Sequence, residues 1–225
     1  MSLKLYDLTG ADPKVRFSPF CWRVRLALAH KGLGVETIPW HLTEKDKIAF
    51  TGQGEVPVLL DGSHFVHDSW KIANYLDEKY PAVPLFPDPA RKGEVYFIKC
   101  WTEEVLHMAI RRIILLDIYY LLTPADKAYF RQSRELRYGM PLEQFVADKE
   151  ANIAELRRLV RPIRTTLMEF PFVGGAKPSF ADYIVFGAFQ WARKASTVPL
   201  LEAGDPILDW FEKLRAMYKD SIGLI

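Results

Sequence analysis

Apolar and polar side chains alternate from Leu3 to Leu8, LKLYDL, the period-two signature of a strand with one buried face. A loop rich in turn formers, TGADPKVRF, follows, and the period then changes to that of a helix. Ser18 is a good N-cap, Pro19 suits the first helical position, and Phe20, Val24, Ala27 and Leu28 fall on one face. Gly32 predicts the helix end. VETIP, VPVLL and HFVH read as three more strands, with Asp61-Gly62 as the hairpin turn between the last two. A second helix, WKIANYLDEKY, shows Ile72, Leu76 and Tyr80 at i, i+4 and i+8, with Ser69 able to cap it and Pro81 stopping it. Strand, helix, strand, hairpin, helix is an α/β order, and a right-handed crossover sets the first two strands parallel in a small mixed sheet.

At PAVPLFPDPARKG four prolines crowd a short stretch, and beyond it strand signals vanish. The expected division is therefore an α/β domain over residues 1–82 and an all-α helical domain over 90–225. In the second part the pattern predicts helices from Glu94 to Leu122, Pro141 to Leu167, Phe180 to Ser196 and Ile207 to Tyr218.

Composition changes this picture little. At 225 residues, 49% hydrophobic and 26% charged, the chain can bury a real core in one large or two modest domains. A net charge of +2, with acids and bases interleaved, gives no basic stripe for nucleic acid. The most apolar stretch, IILLDIYYLL, is short and interrupted by Asp117, so no membrane span or signal peptide is expected. The two cysteines, Cys21 and Cys100, sit in periodic segments, which argues for free thiols in a reducing, cytoplasmic setting.

Three short motifs carry chemistry. Ser18-Pro-Phe-Cys21 has the spacing of a redox Cys-x-x-Cys turn whose first cysteine is serine, placed where a helix N-terminus stabilises an anion or thiolate. Cys21 then lacks a partner for a dithiol cycle, whereas the Ser18 hydroxyl is able to donate to the thiolate of a bound thiol. The plainer reading is a helix cap over a core cysteine. Val56-Pro57 opens a strand with a residue that removes a donor. Either it is an ordinary edge proline, or a cis bond turns the Val56 backbone outward to pair with an extended peptide-like ligand. Asp68-Ser69 stands at the second helix N-terminus, where Ser69 suits a ligand carboxylate and Asp68 an amine, or where the pair simply caps.

Together these motifs resemble the glutathione transferases. That family has a thioredoxin-like domain with its active residue opening the first helix, a Val-Pro with a cis proline, and an acidic residue followed by serine for the γ-glutamyl end. The resemblance runs on into GGAKPSFADYIVFG, where Ser179 and Asp182 match the family's structural capping box. SPFCWRVRLAL is similar to the zeta and omega branches and to the glutathione-dependent β-etherases, with serine four residues before Trp22-Arg23. The resemblance implies a thioredoxin-like four-stranded sheet plus a helical domain. It further implies glutathione as co-substrate, a hydrophobic electrophilic acceptor, a cytoplasmic homodimer of the detoxification type, and no metal. Ser18 is then the catalytic residue. Val56, Pro57, Asp68, Ser69, Gln53 and His41 bind glutathione, with Lys45 a further candidate for its glycine carboxylate. Phe20, Trp101, Val105 and Met108 line the acceptor pocket. Isomerase or β-etherase chemistry on the same site, a binding protein without turnover, and a disulfide reductase working through Cys21 are the alternatives. The missing first cysteine argues against the last.

The remaining features carry less. GQGEVP runs into a strand and is no dinucleotide loop, and HFVH puts His64 and His67 on opposite faces of its strand.

Overall fold

In the computed structural model, which describes residues 3–86 and 88–222, four strands form one mixed sheet. Strands β1 (Leu3–Leu8), β2 (Val35–Trp40), β3 (Val58–Asp61) and β4 (His64–His67) lie in the order β2-β1-β3-β4. β1 pairs parallel with β2, Leu3 opposite Val35, and antiparallel with β3, Leu3 opposite Asp61. Asp61 pairs with His64, so the hairpin turn is Gly62-Ser63, one residue later than expected, with Gly62 at φ +64°. Pro87, in the proline-rich connection, lies outside the described residues.

Helix α1 (Pro19–His30) is capped by Ser18, and Gly32 takes the left-handed conformation, φ +66°, just past its end. The one-face pattern expected of α1 understates its burial: every residue from Cys21 to Ala29 is buried. The reason is that α2 (Ser69–Lys79), α9 (Phe180–Ala195) and α10 (Pro206–Ile222) all pack on it. A Cβ at Gly187 of α9 would stand 2.4 Å from the Pro19 carbonyl oxygen, so only glycine lets α9 cross the first turn of α1 so closely. Two arginines are buried along α1, and each meets a carboxylate: Arg25 reaches Asp7 at 3.2 Å and Arg23 reaches Glu103 at 2.7 Å.

The helical half begins with α3 (Lys92–Trp101), a π-helical turn (Thr102–Leu106) and α4 (His107–Leu121), which together make the expected Glu94 to Leu122 run. The next element was not expected. Helix α5 (Pro124–Tyr138) is 15 residues long, capped by Thr123, which accepts from the Asp126 N–H at 3.2 Å, and ended by Gly139 at φ +68°. The expected helix from Pro141 to Leu167 is in fact three: α6 (Leu142–Phe145), α7 (Lys149–Leu159) and α8 (Arg161–Glu169). Pro162 has no N–H to continue α7, but suits the first turn of α8.

Ser179 and Asp182 form a capping box at the start of α9. Asp182 is fully buried and does more than cap. Its carboxylate accepts from the N–H groups of Val173 (2.7 Å), Gly174 (3.0 Å) and Ser179 (3.0 Å), and from the Trp210 indole (3.0 Å). A loop, α9 and α10 are thus pinned at one point. Among the described residues no helix is long and apolar enough to cross a membrane.

Candidate active site

The N-terminus of α1 opens on a two-part cleft. The larger part, about 350 Å³, lies between Ser18, the Lys45 and Glu55 segments, α4 and α5. A smaller recess of about 120 Å³ lies beside it, lined by Gln53, Pro57, His67, Asp68 and Ser69. Phe20, Glu55 and Val56 line both.

Ser18 sits at the mouth of the larger part. Its Oγ accepts from the Cys21 N–H at 3.2 Å, and rotation about the C–O bond sets where its own proton points. Around it the backbone N–H groups of the first turn of α1 add the positive end of the helix dipole. Cys21 belongs to the core. It is fully buried, its Sγ lies 3.9 Å from the Tyr6 carbonyl, and burial first, then the nearby Asp7 carboxylate, hold its pKa well above the usual thiol value. The hydrogen bond involving Ser18 opposes this but does not overcome it. A buried thiol that stays protonated is a packing group and no nucleophile.

The Val56-Pro57 peptide is cis. Val56 lies outside the strands, and among the described residues no hydrogen bond takes up its N–H or its C=O. Two unpaired backbone groups on the wall of a recess are partners for an extended ligand.

At α2 the roles differ from expectation. Asp68, not Ser69, is the N-cap: its Oδ1 accepts from the Trp70 and Lys71 N–H groups, both at 3.0 Å, and its backbone takes φ +70°. Ser69 is the first helical residue, buried, with its Oγ 3.5 Å from the buried Arg23 guanidinium. The short carboxylate of aspartate reaches two N–H groups of the first turn, which is a reason to find it at the cap.

Other expected residues are placed less directly. Gln53 lines the recess, but its amide is bound to its own loop: Oε1 accepts from the Glu55 N–H at 2.6 Å, and Nε2 donates to Thr51 Oγ1 at 2.9 Å and the Glu55 carbonyl at 3.0 Å. His41 lines neither part. Its Nδ1 faces the fully buried Asp126 carboxylate of α5 at 3.3 Å, a contact that draws it into the junction between the two halves. Lys45 is in the cleft, above the ring of Trp40 (4.8 Å) and near that of Tyr129 (5.5 Å), donating to the Gly54 carbonyl. Burial lowers its pKa, and Glu55 opposes that.

The residues expected to line an acceptor pocket are placed differently again. Phe20 lines the cleft, whereas Trp101, Val105 and Met108 do not. The π-helical turn that contains Val105 has more residues per turn than an α-helix, so it rotates the faces that follow it. Arg111, Leu115 and Ile118 of α4 come to the cleft instead. Sequence reasoning also missed Tyr129, Phe130, Arg134 and Arg137, because it missed α5 altogether. The signal was present: Thr-Pro-x-Asp at positions 123 to 126 is a helix-start pattern, and Gly139 a stop.

A small mixed sheet with a serine at the start of its first helix, a cis proline before its third strand and a helical half closing the cleft defines a protein of thioredoxin-like build. Known proteins agree. The family models for the glutathione S-transferase N-terminal domain and C-terminal domain match residues 13–84 and 95–202. The pyrimidodiazepine synthase of Drosophila melanogaster is 37% identical over 229 residues, covering 95% of this chain and 76% of that one. Glutathione S-transferase Z1 of Arabidopsis thaliana is 44% identical over 80 residues, 33% of this chain. The match covers 36% of that relative, so the chain spans about a third of its length. Among solved structures, a glutathione S-transferase of Ceriporiopsis subvermispora in complex with glutathione has a TM-score of 0.80 at 23% identity, over 98% of each chain. The chain belongs to the glutathione transferase family.

Proposed function

We propose that the protein is a glutathione transferase whose Ser18 activates the thiol of bound glutathione for attack on an electrophile. One observation carries this reading: a hydroxyl at a helix N-terminus, free backbone groups at Val56 and the start of α2 share one continuous cleft. Glutathione is a short peptide with an amine and a carboxylate at its γ-glutamyl end. Its cysteinyl part would pair with the Val56 backbone as an added strand, and that end would reach Asp68, Ser69 and the N-terminus of α2. The thiol would then lie at Ser18. The unit 1–82 holds glutathione, and the unit 90–225 completes the acceptor cleft.

The chemistry follows from charge. Ser18 donates to the sulfur, the helix dipole favours the anion, and the thiol proton leaves to solvent. A thiol pKa lowered by about two units favours the thiolate by about 3 kcal/mol. The sulfur then forms a bond to an electrophilic carbon, in substitution, addition or ether cleavage. We further take the protein to be cytoplasmic and a homodimer. Phe50 and Phe65, 49% and 38% exposed and edge to face at 5.4 Å, offer an apolar patch for a second copy, and sedimentation tests this.

Titrating the bound thiol by its ultraviolet absorbance decides the central point. A thiol pKa in the complex at least one unit below that of free glutathione is expected. A value equal to the free one would leave a binding protein without activation.

A further inference from the structure

The cleft beside Ser18 has apolar walls and an uncompensated charge. Leu115, Ile118, Phe130 and Trp191 line it, together with Arg111, Arg134, Arg137 and Lys45. Glu55 is the one carboxylate among the lining residues, and it acts on Lys45. No ion pair among the described residues includes Arg111, Arg134 or Arg137. On the same helix, by contrast, Arg131 pairs with both Glu135 and Glu143. Helix α5 therefore pairs one arginine with carboxylates and leaves two with no ion pair among the described residues, on the stripe Phe130, Arg134, Arg137, the i, i+4, i+7 face that lines the cleft. Arg134 donates to the Ser133 hydroxyl at 3.0 Å and stacks over Phe130 at 4.8 Å. Arg111, from α4, lies 5.9 Å from the Trp191 ring. Burial lowers the Arg134 pKa, and the nearby Arg137 and Arg111 lower it further. Like charges at i, i+3 cost helix stability, and an anion between them would remove that cost.

Resting on the transferase reading, we propose that the acceptor is an anion: an aromatic or otherwise apolar electrophile bearing a carboxylate or sulfonate, whose charged end is held by Arg111, Arg134 and Arg137. Its apolar body lies against Leu115, Ile118, Phe130 and Trp191, and its reacting carbon meets the sulfur at Ser18. Planar guanidinium groups suit such oxyanions better than ammonium groups do.

The test uses a chloronitrobenzoate and its methyl ester, which carry the same leaving group. In both, the glutathione sulfur bonds to the ring carbon, the C–Cl bond breaks with its electron pair on chloride, and the thiol proton goes to buffer. With kcat/KM corrected for the uncatalysed rates, the acid is expected to be preferred at least tenfold. The variant Arg134→Gln/Arg137→Gln should lower that preference about tenfold or more, the loss of hydrogen bonds between charged groups. Added salt should slow the acid more than the ester. Equal loss on acid and ester would overturn the proposal. So would an unchanged preference with a tenfold weaker glutathione affinity, since the arginines would then hold the glycine carboxylate of glutathione. If neither compound is turned over, the thiol titration still judges the transferase reading, and quenching of tryptophan fluorescence decides the proposal. Nitrobenzoate should then bind more tightly than methyl nitrobenzoate, and only to the protein with Arg134 and Arg137 intact. Equal binding of the two would overturn it.

Discussion

Replacing Ser18 by alanine removes one hydroxyl that serves two purposes, and the structure separates them. As an N-cap, Ser18 accepts from the Cys21 N–H at 3.2 Å, a long hydrogen bond. Its loss costs about 1 kcal/mol of folding stability, against the 5–15 kcal/mol typical of a domain. Gly187 and α9 still clamp the first turn, so the variant stays folded. As a donor to a thiolate, the hydroxyl makes a hydrogen bond to a charged group, worth about 1.5–3 kcal/mol. That corresponds to a drop in kcat/KM of about tenfold to 150-fold and a rise of about one to two units in the pKa of the bound thiol. Glutathione affinity, set by the peptide contacts at Val56, should change little. The assay pairs thermal melting with ultraviolet titration of the complex and conjugation kinetics, beside Cys21→Ala as control. Burial keeps the Cys21 thiol protonated, so that control should retain turnover. Loss of activity in Cys21→Ala together with full activity in Ser18→Ala would refute the mechanism.

Ser69→Ala should weaken glutathione binding about tenfold by calorimetry while Asp68 keeps α2 capped; unchanged affinity would remove Ser69 from the site. Asp182→Ala strands four donors, the N–H groups of Val173, Gly174 and Ser179 and the Trp210 indole, and should cost about 3–5 kcal/mol in denaturant unfolding. A variant with an unchanged melting temperature and no turnover would make Asp182 catalytic instead. His107 is fully buried between the rings of Phe20 and Trp191, and burial, aided by Arg23, Arg111 and Lys99, holds its pKa well below the model-peptide value of 6.5. Below that value the unfolded chain takes up a proton that the folded one refuses, so stability falls with falling pH, by up to about 1.4 kcal/mol per unit. His107→Phe should keep the aromatic contacts and lose that slope between pH 6.5 and 5; an unaltered slope would mean that His107 is protonated in the fold.

The sheet and α1 were legible because local signals agree there: alternation in LKLYDL, Ser-Pro at a helix start, and Gly32 at its end all point the same way. Helix α9 was legible for the same reason, through its capping box. The helical lining of the cleft was not. Helix α5 carries only Asp126 and Phe130 as buried residues, so its apolar period is nearly absent, and its polar face is spent on ion pairs and on the cleft. The π-helical turn changes the helix phase without changing composition, and a pattern read at constant period passes straight over it. His41 misled for a different reason. Its sequence position beside the sheet suits a ligand, but its partner Asp126 comes from a helix that local reading did not contain.

The geometry at Ser18 depends on both halves of the molecule, and Arg23 shows how. Its guanidinium is buried in α1, pairs with Glu103 of the π-helical turn at 2.7 Å, stacks over Phe20 at 4.8 Å, and stands 3.5 Å from the Ser69 hydroxyl. Among the described residues, Nε and Nη2 have no hydrogen-bond partner. A buried pair of this kind adds little net stability over an apolar replacement, because desolvation cancels most of the attraction. Losing one partner is another matter, since a bare buried charge costs about 3–5 kcal/mol. Arg23 is thus weakly stabilising while Glu103 pairs with it and strongly destabilising if Glu103 is lost with the halves still docked. It sits one turn from Ser18 and against Ser69, so the docked arrangement that satisfies it is also the one that brings the start of α1, the start of α2 and the helical wall around a single cleft.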